Sequence, residues 1–211
     1  MSAAGSAPEP ARPVDRSEVT GIVLAGGLGR RMSADGQGID KGLQPFRGRP
    51  MALHAIERLA PQVLTLLVNA NRNLERYREF GWPVVSDAVE GFAGPLAGLH
   101  AGMRVARTRY VVTVPCDSPF LPSDLVARLS AALASKPGAR LAVARTGARA
   151  HPVFALLERA LLEDLEAYLA GGRRRIDAWQ APLGAVEVDF GDEAAFRNIN
   201  TPQELREQEL E

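Results

Sequence analysis

One cysteine, Cys116, stands in a chain of 211 residues, which excludes an internal disulfide and a zinc cluster built on thiols alone. That usage fits a reducing cytoplasm. Charge of neither sign prevails, since 25 Lys and Arg meet 25 Asp and Glu. Without a global basic excess to hold nucleic acid, any anion site must be local. No apolar run is long enough to span a bilayer, and residues 1–18 lack the apolar centre of a secretion signal. Those residues, rich in Ala, Pro and polar side chains, are expected to form a disordered leader. Residues 19–211 then make one domain with a substantial core. No internal repeat and no second-domain boundary interrupts it.

Two familiar phosphate loops are missing as well. Lys41 is followed by Gly42, where a P-loop needs a metal-binding hydroxyl. Gly27-Leu28-Gly29 runs into Arg30, Arg31 and Met32, where a dinucleotide fingerprint needs its last glycine. What is present is a buried strand emptying into a glycine turn. Ile22, Val23 and Leu24 form an apolar run bounded by glycine. Gly26, Gly27 and Gly29 remove β-carbons where a polyphosphate approaches backbone N–H groups. Arg30, Arg31 and Lys41 follow with cationic side chains suited to phosphate oxygens. The combination points to a nucleoside triphosphate held for attack; the plainer alternative is a strand-to-helix turn with surface arginines.

Strand-like and helix-like patterns alternate after the leader. Strands are predicted over residues 63–68, 83–85 and 110–114, and helices over 50–60, 95–107 and 122–135. Further strands are predicted at 141–144, 152–156 and 185–190, and a helix at 157–169. Thr201-Pro202-Gln203-Glu204 reads as a capping box opening a C-terminal helix. Such alternation implies an α/β fold with a mostly parallel sheet and helices on both faces. Ligands bind such sheets beyond the carboxyl ends of the strands. The glycine turn, Asn69, Asp87 and Asp117 all follow strands, so they are expected along one edge. The stretch from Gly26 to Arg49 is a long loop without a pattern of its own, and such loops are often functional.

Asp117, directly after the most hydrophobic strand, suits a hard divalent ion, magnesium above all, that it would share with triphosphate oxygens and waters. Otherwise it caps the turn before Pro122. Asp87 either touches the base, the ribose or a metal-bound water, or opens a turn. Asn69 has an amide that donates and accepts, as a base edge requires, or it simply ends its strand. Arg173, Arg174 and Arg175 form a basic run that either binds a further phosphate or is a solvated face. His54 and His100 lie in helical patterns and read as packed or solvated, and His151 as structural. Cys116 has no histidine at local spacing to mark it as a nucleophile.

Taken in order, LAGG-x-x-x-R-M, Asp40-Lys41-Gly42, Gly48-Arg49-Pro50, Asn69-Ala70-Asn71-Arg72, Gly94-Pro95-Leu96-Ala97-Gly98, Pro115-Cys116-Asp117 and Asn198-Ile199-Asn200-Thr201-Pro202 resemble the molybdenum cofactor guanylyltransferases. The resemblance spans about Thr20 to about Leu205. It implies a Rossmann-like three-layer α/β sandwich, with residues 19–211 as the nucleotidyltransferase domain. It implies transfer of GMP from GTP to the terminal phosphate of molybdopterin, with release of pyrophosphate. Carried across, GTP contacts fall on Leu24, Ala25, Gly26, Gly27, Lys41, Asn69, Asp87 and Asp117. Asp117 would also hold magnesium, and Arg31 would join Lys41 and Asp117 in catalysis. Asn198, Asn200, Arg174 and Arg175 correspond to the pterin side. Molybdenum-insertion and molybdoenzyme chaperone proteins are the implied partners of a cytoplasmic monomer or weak oligomer that meets neither nucleic acid nor membrane. The spacer Ser33–Ile39 is longer than the family's usual one. Rival readings are a cytidylyltransferase on the same pterin, a sugar-phosphate nucleotidyltransferase, and a nucleotide-binding protein without catalysis. Turnover with GTP, CTP and UTP separates the enzymes, and pyrophosphate release separates them from the binder.

Overall fold

A computed structural model describes residues 12–27, 39–88 and 94–210 of the chain, the side chains of 209 and 210 excepted. In chain order its elements are β1 (Val19–Leu24), β2 (Pro45–Phe46), β3 (Arg49–Pro50), α1 (Met51–Leu59), β4 (Thr65–Asn69), α2 (Leu74–Arg78), β5 (Val84–Val85) and α3 (Pro95–Val105). They continue as β6 (Tyr110–Pro115), α4 (Leu125–Ser135), β7 (Leu141–Thr146), β8 (Arg149–Glu158), α5 (Leu162–Ala170), α6 (Ile176–Gln180), β9 (Val186–Asp189) and α7 (Pro202–Leu210).

Among the described residues seven strands form one sheet, in the order β5-β4-β1-β6-β8-β7-β9. The pairings are parallel except those of β8, which runs against both β6 and β7. Side chains of the central strands alternate between two cores. Val19 and Val23 of β1, Val112 and Val114 of β6 and Leu156 of β8 join α1 and α4 on one face. Ile22, Val111 and Leu157 join α3, α5 and α6 on the other. Strands buried on both faces read as unbroken apolar runs, which is how β1 and β6 look in sequence.

Register places the functional edge. Leu24 lies level with Asn69 on one side and Pro115 on the other. Beyond that row the Ala25 amide donates to the Asn69 carbonyl at 2.8 Å, and the Cys116 amide to the Leu24 carbonyl at 3.1 Å. The glycine turn, Asn69 and Asp117 therefore leave the sheet side by side.

Three expectations change. The helix predicted over 157–169 begins at Leu162, because Leu157 is still in the sheet, paired with both Val111 and Leu141. Leu157, Leu161, Leu165 and Leu169 recur every four residues and mimic a helix across a strand end. Residues 14–18, expected to belong to a disordered leader, are ordered against the domain. Asp15 caps a 3₁₀ turn over Arg16–Glu18, and the Val14 carbonyl accepts a hydrogen bond from Ser130 Oγ at 3.0 Å. Within the patternless stretch, a 3₁₀ turn over Lys41–Leu43 and the β2–β3 hairpin appear. The hairpin turns on Arg47 and Gly48, both at positive φ.

Candidate active site

The strand ends open on a cavity of about 420 Å³ lined by Leu24 to Gly27, Lys41, Asn69, Gly94, Pro95, Pro115 to Asp117, Val153 and Asn198. Its centre is an ion pair. Lys41 Nζ lies 3.0 Å from Asp117 Oδ2, and both side chains are largely buried, at 16% and 10% exposure. The ammonium also donates to Asn200 Oδ1 at 2.7 Å, and Asn198 Nδ2 donates to Asp117 Oδ1 at 3.0 Å. Asn198 and Asn200 thus reach back from the chain's end to brace the two charged groups. Ile199 between them is fully buried, and its amide donates to the Asp117 carbonyl at 2.9 Å. The capping box that follows is shifted by one residue. Thr201 Oγ1 accepts from the Glu204 amide, but the Glu204 carboxylate accepts from the Asn200 amide at 2.6 Å.

The segment after β4 organises the opposite wall. Asn69 Nδ2 donates to Asp87 Oδ1 at 2.8 Å and to the Val85 carbonyl at 3.3 Å. Asn71 Nδ2 donates to Asp87 Oδ2 at 2.8 Å, and Asn71 Oδ1 accepts from the Asp87 amide at 2.9 Å. Arg72 reaches the Gly27 carbonyl at 3.4 Å. Asp87 therefore stands behind Asn69 and does not line the cavity. The two described glycines of the turn have different reasons. A β-carbon on Gly26 would come within 2.8 Å of Asn71 Nδ2, whereas one on Gly27 would meet nothing within 4 Å. Packing against the asparagines demands the first glycine, while no described neighbour demands the second.

Of the residues read from sequence, Leu24, Ala25, Gly26, Gly27, Lys41, Asn69, Asp117 and Asn198 share this cavity wall. Asn200 touches it through Lys41, and Asp87 through Asn69. Arg174 and Arg175 are not part of the wall, and the Arg175 guanidinium pairs with Asp177 at 2.5 Å. Arg31 lies outside the described residues. Two participants were missed. Val153, from the reversed strand β8, closes the far side, and Tyr77 lies beneath the lysine turn, its hydroxyl donating to Asp40 Oδ1 at 2.5 Å. Tyr77 lies three residues past the start of the short helix α2, whose five residues carry too little periodicity to be seen in sequence.

Burial, reinforced by the neighbouring Asp117 carboxylate, pushes the Cys116 thiol well above its ordinary range. It lines the cavity as a small apolar group rather than a nucleophile. Among the described residues no three His, Cys, Asp or Glu side chains gather as a metal cage. One buried carboxylate beside a cavity fits magnesium, which keeps several waters and takes one or two carboxylates plus substrate phosphates. No helix among the described residues is long and apolar enough to cross a membrane.

A family model described as the MobA-like NTP transferase domain matches residues 21–183. A molybdenum cofactor guanylyltransferase from Ralstonia nicotianae is 54% identical over 203 residues, covering 92% of this chain and 97% of that protein. One of the same name from Cupriavidus taiwanensis is 53% identical over 201 residues, covering 93% and 98%. A solved molybdopterin-guanine dinucleotide biosynthesis protein A from Archaeoglobus fulgidus superposes with a TM-score of 0.72 at 22% identity, over 90% of this chain and 97% of that one. A 4-diphosphocytidyl-2C-methyl-D-erythritol synthase from Anaerococcus prevotii reaches 0.72 at 11% identity, over 92% and 95%; such distant likeness speaks to the fold alone.

Proposed function

The chain belongs to the molybdenum cofactor guanylyltransferases of the MobA-like NTP transferase family, and from that premise we propose that it moves GMP from GTP to the terminal phosphate of molybdopterin. A phosphate oxygen of the pterin attacks the α-phosphorus of GTP. One P–O bond forms as the α–β anhydride bond breaks, and pyrophosphate leaves. The attacking oxygen is already anionic, so no strong general base is needed, and the protein's share is positioning and charge neutralisation.

The observation that carries this reading is the Lys41–Asp117 pair set at the mouth of the glycine turn. Lys41 is assigned to the triphosphate oxygens, and Arg31 is assigned to the same role. The amides of Gly26 and Gly27 are assigned to the phosphates, since the Ala25 amide serves Asn69. Asp117 would hold magnesium, which neutralises phosphate charge and orients the in-line displacement. Leu24, Ala25 and Asn69 are assigned to the nucleoside end, with Asp87 serving it through its hydrogen bond to Asn69. Asn198 and Asn200 are assigned first to bracing the charged pair, and with Arg174 and Arg175 to the pterin side. We place the enzyme in the cytoplasm as a monomer or weak oligomer, serving molybdenum-insertion and chaperone proteins.

The test is pyrophosphate release on mixing the protein with molybdopterin, magnesium and GTP, CTP or UTP in parallel. Release with GTP well above the other two, together with the guanine dinucleotide product, is the expected result. Equal release with CTP, or nucleotide binding without release, overturns the proposal.

A further inference from the structure

We propose that Tyr77 and Asn73 are positioning residues for Lys41, acting through the carboxylate of Asp40. The inference rests on Lys41 being the triphosphate contact proposed above. Asp40 begins the 3₁₀ turn that carries the lysine, yet its side chain makes no capping bond to that turn. Its two oxygens go to α2 instead. Oδ1 accepts from the Tyr77 hydroxyl at 2.5 Å, and Oδ2 from Asn73 Nδ2 at 3.0 Å. Tyr77 is fully buried in the core beneath α1, so its ring is a fixed anchor that no substrate can touch.

Two local features are shaped around this contact. Asn73 adopts a left-handed backbone, φ 51°, at the start of α2, a conformation asparagine tolerates better than most residues. A β-carbon on Gly42 would come within 2.4 Å of the Tyr77 hydroxyl, so the glycine after Lys41 lets the phenol reach Asp40. Consecutive side chains then serve opposite partners, Asp40 held to α2 while Lys41 extends to Asp117 and Asn200. A lysine has four rotatable bonds, and fixing the backbone beside it restricts where its ammonium can go. With both oxygens committed to α2, Asp40 itself is an anchor rather than a metal or phosphate ligand.

The experiment is a titration of GTP with magnesium, by calorimetry, into wild type and five variants: Lys41→Ala, Tyr77→Phe, Asp40→Asn, Lys41→Ala/Tyr77→Phe and Asp40→Asn/Asn73→Asp. Tyr77→Phe keeps the buried ring and is expected to weaken GTP by about tenfold, as loss of a charge-assisted hydrogen bond implies. In the Lys41→Ala background the same change is expected to do nothing further. The exchange Asp40→Asn/Asn73→Asp re-forms both hydrogen bonds with the charge on the other residue, so it is expected to recover affinity lost in Asp40→Asn. Equal weakening by Tyr77→Phe in both backgrounds overturns the inference, as does failure of the exchange to recover affinity. A strong Lys41→Ala effect with a silent Tyr77→Phe overturns the inference alone. Equal affinity of wild type and Lys41→Ala overturns both it and the assignment of Lys41.

Discussion

Asp117 carries three relationships at once: an ion pair to Lys41, a hydrogen bond from Asn198, and the wall of the cavity. Asp117→Ala is expected to slow GMP transfer at saturating magnesium by at least about a hundredfold, the scale of losing several kcal/mol of metal-assisted stabilisation. Asp117→Asn keeps the size and removes the charge, and steady-state kinetics should show it losing about as much. Near-normal turnover of either variant removes Asp117 from the chemistry. Its neighbour Cys116 behaves oppositely, since burial and the adjacent carboxylate hold the thiol protonated. Alkylation followed by mass spectrometry at about pH 8 is therefore expected to be at least about tenfold slower in the folded protein than in urea, because the thiolate is the reactive form. Rapid labelling of the native protein would contradict that environment.

Helix α3 crosses the sheet so closely that two of its glycines are filled by strand side chains. A β-carbon at Gly98 would sit 2.2 Å from Asn69 Oδ1 and 2.7 Å from Leu24 Cδ2, and one at Gly102 would sit 2.4 Å from Ile22 Cδ1. Alanine favours a helix over glycine by about 1 kcal/mol, but overpacking costs about 1–3 kcal/mol, so both substitutions are expected to lower the melting temperature. Their effects on the site should differ. Asn69 is held by Asp87 and Val85 and has no slack, so Gly98→Ala should weaken GTP binding as well. Gly102→Ala presses on Ile22, away from the cavity wall, and should leave GTP affinity near wild type. Parallel thermal melts and GTP titrations decide, and equal loss of GTP affinity in both variants would show that the close approach is not specific to the site.

At the scale of the whole molecule, the last segment of the chain closes the site begun by the first strand. His151 on β8 helps to fasten it. Its ring stacks on Phe196, with centroids 4.8 Å apart, and Nε2 lies 2.8 Å from Thr146 Oγ1. Burial, then the charge of Arg149, holds this histidine below its ordinary value of 6.5, with Glu193 opposing. The folded state favours the neutral ring, so as pH falls the unfolded chain takes up the proton first. Stability tied to His151 is complete above about pH 6.5 and is lost as pH falls through the lower, folded value. Urea midpoints measured from about pH 7 to about pH 5 are expected to fall in wild type and to fall less in His151→Gln. Matching slopes would mean that other groups carry the acid sensitivity of the fold. The family match ends at residue 183, yet Asn198 and Asn200 brace the Lys41–Asp117 pair, so the closing segment belongs to the candidate site in space though it lies beyond the matched span.

Much of this protein was determined by local chemistry that a sequence displays. Apolar runs ending in glycine, asparagine or aspartate identified β1, β4 and β6, and parallel pairing then requires their carboxyl ends to open on one side. Lys41 and Asp117 were legible because their residue types and neighbours match the needs of a triphosphate. Other features depended on partners distant in the chain. The reversal of β8, which brings Val153 to the cavity, follows from pairing with both β6 and β7 and leaves no mark in its own periodicity. Asn69 reads in sequence as a base-reading amide or as a plain strand end, and only the fold shows its Nδ2 donating to Asp87 and Val85. Tyr77 drew no notice in the sequence, and only folding sets its hydroxyl against Asp40. Residue type and spacing specify strands and charges, whereas the pairing of buried polar groups is decided only when the folded chain brings donor and acceptor together.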